Sequence, residues 1–306
     1  MTYLDPKADL TFKKVFGEHP DIVMSFLNAL LPLEEGEEIT EIEYLPTELI
    51  PEHPLRKYSI VDVRCKDSRG RHFIVEMQMV WSPEFKQRVL FNASKAYVRQ
   101  LDKGHKYELL QPVYSLNLVN DIFETGLEGY YHYYRLVHVE HSEKVIDGLH
   151  LIFVELPKFT PHTYTEKKMQ ALWLRYLTEI DEKTRKVPAE LMEYPEIKRA
   201  VTALEESAFT PAQLQGYEKF WDAISVERTL YSSGERKGWE KGWEKGWEKG
   251  REEGHEEGRE EGREEGREEG REEEKKSLVK GFKAAGIPSD VIARVTGLSL
   301  EEIEQL

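Results

Sequence analysis

The sequence predicts an α/β protein, and three observations lead there. A β-hairpin signal runs from Tyr58 to Met79, two amphipathic helices precede it, and apolar strand-like runs at Gln111 to Asn120 and Leu149 to Leu156 follow among further helical stretches. A chain of 306 residues is long enough to bury a sizeable core around such elements.

From the N-terminus, Phe12, Val15 and Phe16 recur at helical spacing between Asp9 and Gly17. Asp9 stands where an N-cap belongs. Lys13 and Lys14 lie on the same helix, where contact with phosphate and a solvated face are both open. A second amphipathic helix is expected over Pro20 to Leu31, with Ile22, Val23, Phe26, Leu27, Leu30 and Leu31 as its apolar stripe. Ile39 to Leu45 reads as a strand, and prolines 46, 51 and 54 mark an irregular approach to the hairpin.

In the hairpin, two alternating stretches rich in β-branched and aromatic residues flank the turn chemistry of Asp67-Ser68-Arg69-Gly70. Alternation puts Ile60, Asp62 and Arg64 on one face of the first strand and Val61, Val63 and Cys65 on the other. On the second strand Ile74, Glu76 and Gln78 oppose Phe73, Val75, Met77 and Met79. A three-residue loop at Ser68 to Gly70 sets Asp62 across from Glu76, with Gln78 diagonal to it; a slip of one residue would turn the two acids to opposite faces. Two carboxylates on one face suit Mg²⁺, which is held by one or two carboxylates plus water and substrate phosphate. On spacing alone the same face also reads as the polar, solvent side of a half-exposed hairpin.

Ser82-Pro83-Glu84 opens a helix expected to reach about Lys103, stopped by Gly104, with Phe85, Val89, Ala93, Ala96 and Leu101 inward and Lys86, Arg88, Lys95, Arg99 and Lys103 making it basic. Tyr130 to Val139 reads as another strand, and His138 and His141, without a cysteine or a third ligand at suitable spacing, as surface histidines. Helices are expected over Thr165 to Thr178, Glu190 to Ser207 and Pro211 to Leu230.

Leu-Asp-Pro-Lys-Ala-Asp-Leu-Thr-Phe-Lys-Lys-Val-Phe-Gly at residues 4–17, Asp62 followed by Glu76-x-Gln78, and the helix bearing Arg88 and Tyr97 together resemble the recombination-promoting nuclease family of the PD-(D/E)XK nuclease superfamily. The resemblance implies a restriction-endonuclease-like core with a mixed sheet between helices, and a Mg²⁺- or Mn²⁺-dependent DNA endonuclease linked to recombination or mobile elements. It makes Asp62 and Glu76 metal ligands, puts Gln78 in the place of the superfamily lysine and makes Asp9 an assisting acid. Arg88, Lys13 and Tyr97 become candidates for contact with DNA phosphate. Val61 stands where the motif has proline. The alternative is a nuclease fold of weak or absent catalysis that binds DNA or regulates, and self-associates through its C-terminal repeat.

The formal net charge of −15 argues against broad phosphate binding, so a DNA-handling surface must be basic locally. Cys65 is the only cysteine, which rules out an intramolecular disulfide. No apolar run approaches the roughly 20 residues of a membrane span and the N-terminus lacks a secretory apolar segment, so a cytoplasmic protein is the expectation.

Beyond the nuclease-like domain, residues 1–232, glycine recurs every fourth position from Gly234 to Gly270 in Trp-Glu-Lys-Gly and then Arg-Glu-Glu-Gly units. Each interior glycine costs about 1 kcal/mol against alanine in a helix, and like charges fall at i,i+4. An isolated helix there is therefore expected to be frayed or partly disordered, and residues 233–276 read as a helical or disordered stalk that joins copies of the chain into a homo-oligomer. Residues 277–306 read as a small helical module, with Ser299 to Glu302 as a capping box. The acidic last helix favours a protein partner over DNA.

Overall fold

The computed structural model describes residues 2–49, 59–101, 106–161 and 168–305, with only part of the side chains between 235 and 272. Tyr58, residues 102–104 and residues 165–167, all included in the expectations above, lie outside the described residues. The chain divides into two compact units, Met1–Leu230 and Tyr231–Leu306.

Helices α1 (Asp9–Glu18) and α2 (Pro20–Leu30) form where the apolar stripes predict them. The N-cap of α1 is Ala8 rather than Asp9, which occupies the first helical position and makes no capping hydrogen bond. Strands β1 (Ile42–Tyr44), β2 (Glu48–Leu49) and β3 (Ser59–Ile60) lead into β4 (Val63–Asp67) and β5 (His72–Gln78). After α3 (Phe85–Val98) come β6 (Val113–Val119), β7 (Tyr131–His138) and β8 (His141–Glu155). Helices α4 (Lys168–Glu179) and α5 (Pro195–Thr202) follow. Pro195 interrupts the helix expected over Glu190 to Ser207, leaving α5 between short 3₁₀ turns at Ala189–Glu193 and Glu206–Ala208.

Six strands form one mixed sheet in the order β1-β4-β5-β6-β8-β7, with β5, β6 and β8 mutually parallel and the remaining pairs antiparallel. The crossover from β5 to β6 carries α3, which covers one sheet face through Ala93, Ala96, Phe85 and Val89. Helices α1, α2, α4 and α5 cover the other face, where Phe16, Phe26, Trp173 and Tyr176 pack among Val63, Cys65, Phe73 and Val75. Covered on both sides, β6 is buried along its whole length.

The β4–β5 hairpin has the expected register, Val63 opposite Val75 and Arg64 opposite Ile74, around the loop Ser68 to Gly70. Gly70 takes φ +81, the left-handed conformation that closes a three-residue hairpin loop. The first arm departs from expectation. β3 pairs with β2, not with β5, and the chain bends at Val61–Asp62. Val61 N–H donates to Thr47 O, so the alternation breaks and Val61 packs beside Ile74 and Ala93 on the α3 face instead of with Val63 and Cys65.

Helix α6 runs from Pro211 to Ala284, so of the two states the sequence left open for the glycine repeat the backbone takes the helical one. Apart from His255, the residues between those glycines are Glu, Arg, Lys or Trp, most of them strong helix formers that offset the glycine cost. In the second unit, Val279, Ile292 and Ile303 form a small core shared by α7 (Ser289–Thr296) and α8 (Leu300–Gln305). Glu302 and Ser299 make the reciprocal bonds of a capping box.

Candidate active site

The bend before β4 is what brings Asp62 to β5. With no strand partner at that point, the Met77 N–H donates to Asp62 Oδ2 at 2.8 Å, so the carboxylate takes the place of a ladder carbonyl and its orientation is held by the sheet. One residue back on β5, Glu76 faces α3 and is 6% exposed; its Oε1 accepts a hydrogen bond from Asn92 Nδ2 at 3.0 Å. Gln78, two residues on, donates through Nε2 to Val80 O and accepts through Oε1 from the Arg88 guanidinium. Arg88 and Asn92 are four apart on α3 and so share one face of it. Asp62, Glu76, Gln78, Arg88 and Asn92 line one open cleft of about 700 Å³.

The other predicted residues lie around that cleft or away from it. Lys13 Nζ sits 2.6 Å from Asp9 Oδ1 and 3.9 Å from Asp62 Oδ1, linking the acid of α1 to the acid of the bend. Neither Asp9 nor Lys13 lines the cleft. Tyr97 is not brought to it either. Its ring lies against Gly148 of β8, where an added Cβ would come within 3.3 Å of the ring, and it packs beside Ala96 and Ile74. Lys86 is paired with Glu124, and His138 and His141 are exposed. Asn92 was not among the residues singled out in the sequence, although its i,i+4 relation to Arg88 is the signal that would have found it.

The cleft is short of positive charge for the acids it holds. Burial pushes the Glu76 carboxyl up to about 7, opposed by the Asn92 hydrogen bond, reinforced by the nearby Asp62 and opposed again by Arg88. Asp62 is also raised, first by burial and then by Asp9, against the Met77 N–H, Lys13 and Arg88. The Asn92 Oδ1 is buried without a hydrogen-bond partner. Two carboxylates and an unpartnered amide oxygen are the donor set that a hard divalent cation takes, and the residues present fit one. Among the described residues no cluster of three or more His, Cys, Asp or Glu side chains could hold a metal.

A consequence for stability follows from Glu76. Its folded pKa lies above the ordinary carboxyl value, so the folded state retains a proton that the unfolded chain releases. The stability this contributes is complete below about pH 4.5 and is lost as pH rises through about 7. In metal-free buffer Glu76→Gln is expected to be more stable than the wild type at pH 8, by up to about 3 kcal/mol, with the difference vanishing near pH 4. Urea unfolding at both pH values checks this, and an equal or lower stability of the variant at pH 8 would contradict the upward shift that burial imposes on Glu76.

Comparisons with curated proteins and with solved structures gave no match. Among the described residues no helix is long and apolar enough to cross a membrane. The family model described as "PD-(D/E)XK nuclease family transposase" matches residues 6–226, which span the six-stranded sheet, its covering helices and the cleft between β5 and α3. On that match the chain belongs to the PD-(D/E)XK nuclease family transposases.

Proposed function

We propose that the chain is a divalent-metal-dependent DNA endonuclease acting in recombination or mobile-element chemistry. The observation that carries this reading is the convergence of Asp62 and Glu76 on one open cleft, each held by a bond from the fold itself, the Met77 N–H and the Asn92 amide. A bound Mg²⁺ or Mn²⁺ would polarise the phosphodiester and lower the pKa of the attacking water. Asp62 and Glu76 would hold that ion, with Asn92 Oδ1 as the added oxygen. Gln78 is uncharged where the superfamily has lysine, but it anchors Arg88, so the positive charge arrives from α3 instead of from β5. The guanidinium can meet two phosphate oxygens at once. Lys13 offsets charge between Asp9 and Asp62, and Asp9 acts on the site through it.

The commitment of the Gln78 amide at both ends, to Val80 O and to Arg88, favours a second reading: a nuclease-fold DNA-binding or regulatory protein of little catalytic power. We read residues 233–276 as a stalk for self-association, supported by Trp243, which is 62% exposed on α6, and residues 277–306 as a protein-binding module. Incubating the purified full-length chain with supercoiled plasmid tests the main reading. Nicked and linear products in Mg²⁺ or Mn²⁺, absent in EDTA, are expected; DNA binding without cleavage in either metal would establish the second reading in its place.

A further inference from the structure

On the α3 face of β4, two residues beyond Asp62, Arg64 is 9% exposed and carries no carboxylate partner among the described residues. Among the described residues its one hydrogen bond is a long one, NH1 to Pro46 O at 3.4 Å, and its Nε is buried with no partner. The neighbouring acids are already engaged: Asp67 with Arg71, Glu43 with Lys66, and Asp62 with Met77 N–H and Lys13. The charges that face Arg64 are positive. Arg99, half-buried at the C-terminal end of α3, lowers the pKa of Arg64 after burial itself, and it does the same to Lys95, whose Nζ donates to Leu49 O at 2.6 Å. His72, beside Arg64 on β5, is driven down to about 4 by burial, Arg64 and Lys66, against Asp67, and its Nδ1 is buried without a partner.

Burying a guanidinium without an anion is costly, and crowding it with further cations adds to the cost. A chain of net charge −15 has acids in excess, yet among the described residues none forms an ion pair with this group. Arg99 alone could be explained by the negative end of the α3 dipole; Arg64, in a strand, could not. Two strand residues separate Arg64 from Asp62, about 7 Å along the chain, which is on the order of two nucleotide steps along a DNA strand. Along α3, Arg88 and Arg99 are eleven residues apart, roughly 16 Å, so the helix carries cations from the cleft to this cluster.

We propose that Arg64 and Arg99, with Lys95 between them and the cleft, form a phosphate-binding subsite that holds the DNA backbone beside the Asp62–Glu76 centre. Its ligand rests on the DNA-cleaving reading above. The subsite recognises phosphate and not base, so it adds affinity without sequence preference and sets where the scissile bond lies.

Fluorescence anisotropy of the full-length chain with a fluorescein-labelled DNA duplex, in Ca²⁺ buffer over a range of salt, tests this. Arg64→Gln and Arg99→Gln are each expected to weaken binding several-fold, equally for duplexes of different sequence, and to flatten the slope of log affinity against log salt by about one. Arg64→Lys should retain the wild-type slope. Arg99 is half-buried at a helix end, so its variant remains readable if Arg64→Gln fails to fold. Affinity and slope unchanged in Arg99→Gln, or no binding of the duplex by the wild type, would overturn the subsite. Binding that depends on these arginines in a chain that never cleaves DNA would leave the subsite standing and remove only the nuclease reading.

Discussion

Asp62→Asn is expected to lower plasmid cleavage by about a thousandfold or more while the protein stays folded. The size follows from the role proposed: loss of a metal ligand forfeits several kcal/mol of charge stabilisation at the phosphoryl group, and each 1.36 kcal/mol is tenfold in rate. The substitution is mild for the fold, because the asparagine Oδ1 can still accept the Met77 N–H that the carboxylate accepts at 2.8 Å. Glu76→Gln is expected to act alike, since the amide oxygen retains the bond from Asn92. Both variants remove a negative charge from the cleft, so DNA affinity should hold or rise. Initial rates on supercoiled plasmid, with anisotropy for binding, check the pair. Cleavage by Asp62→Asn at the wild-type rate would remove Asp62 from the site.

The second large effect concerns what holds α1 against the sheet. Phe16 is fully buried, with ring centroids 4.7 Å from Phe12, 4.5 Å from Phe26 and 5.9 Å from Trp173. Truncating such a ring removes its burial and leaves a cavity that rigid neighbours close only in part. Phe16→Ala should therefore cost about 3–5 kcal/mol. For a domain of this size that lowers the melting temperature by roughly 10 °C. Because α1 also carries Asp9 and Lys13 beside Asp62, cleavage should fall as well, below the unfolding range. A melting temperature within roughly 2 °C of wild type would mean that the aromatic cluster repacks without loss.

The parts of this molecule that follow from local pattern were legible. The stripes of α1 and α2, the turn closed by Gly70 and the register of Val63 with Val75 all come from period and turn chemistry, but that register ends at Val63, one residue short of Asp62. The bend at Val61–Asp62 was not legible, because it depends on β3 leaving the hairpin to pair with β2, a choice made by a neighbouring segment. Tyr97 shows the same limit: only the tertiary structure reveals that Gly148 makes room for its ring. Asn92 and Arg64 are ordinary residues in sequence and gain meaning from an unpartnered oxygen and an uncompensated charge. The sequence left the glycine repeat open between helix and disorder, because the glycine cost and the helix formers between the glycines pull in opposite directions; the backbone there is helical.

The central claim is that the two acids of the cleft hold one divalent ion. Titration of Mn²⁺ into the full-length chain, with free ion followed by electron paramagnetic resonance, tests it without reference to DNA. One bound Mn²⁺ that weakens as pH falls below about 7, with Glu76 protonation, and that disappears in the Asp62→Asn, Glu76→Gln double variant is the predicted result. The same Mn²⁺ binding in the double variant as in the wild type would contradict it.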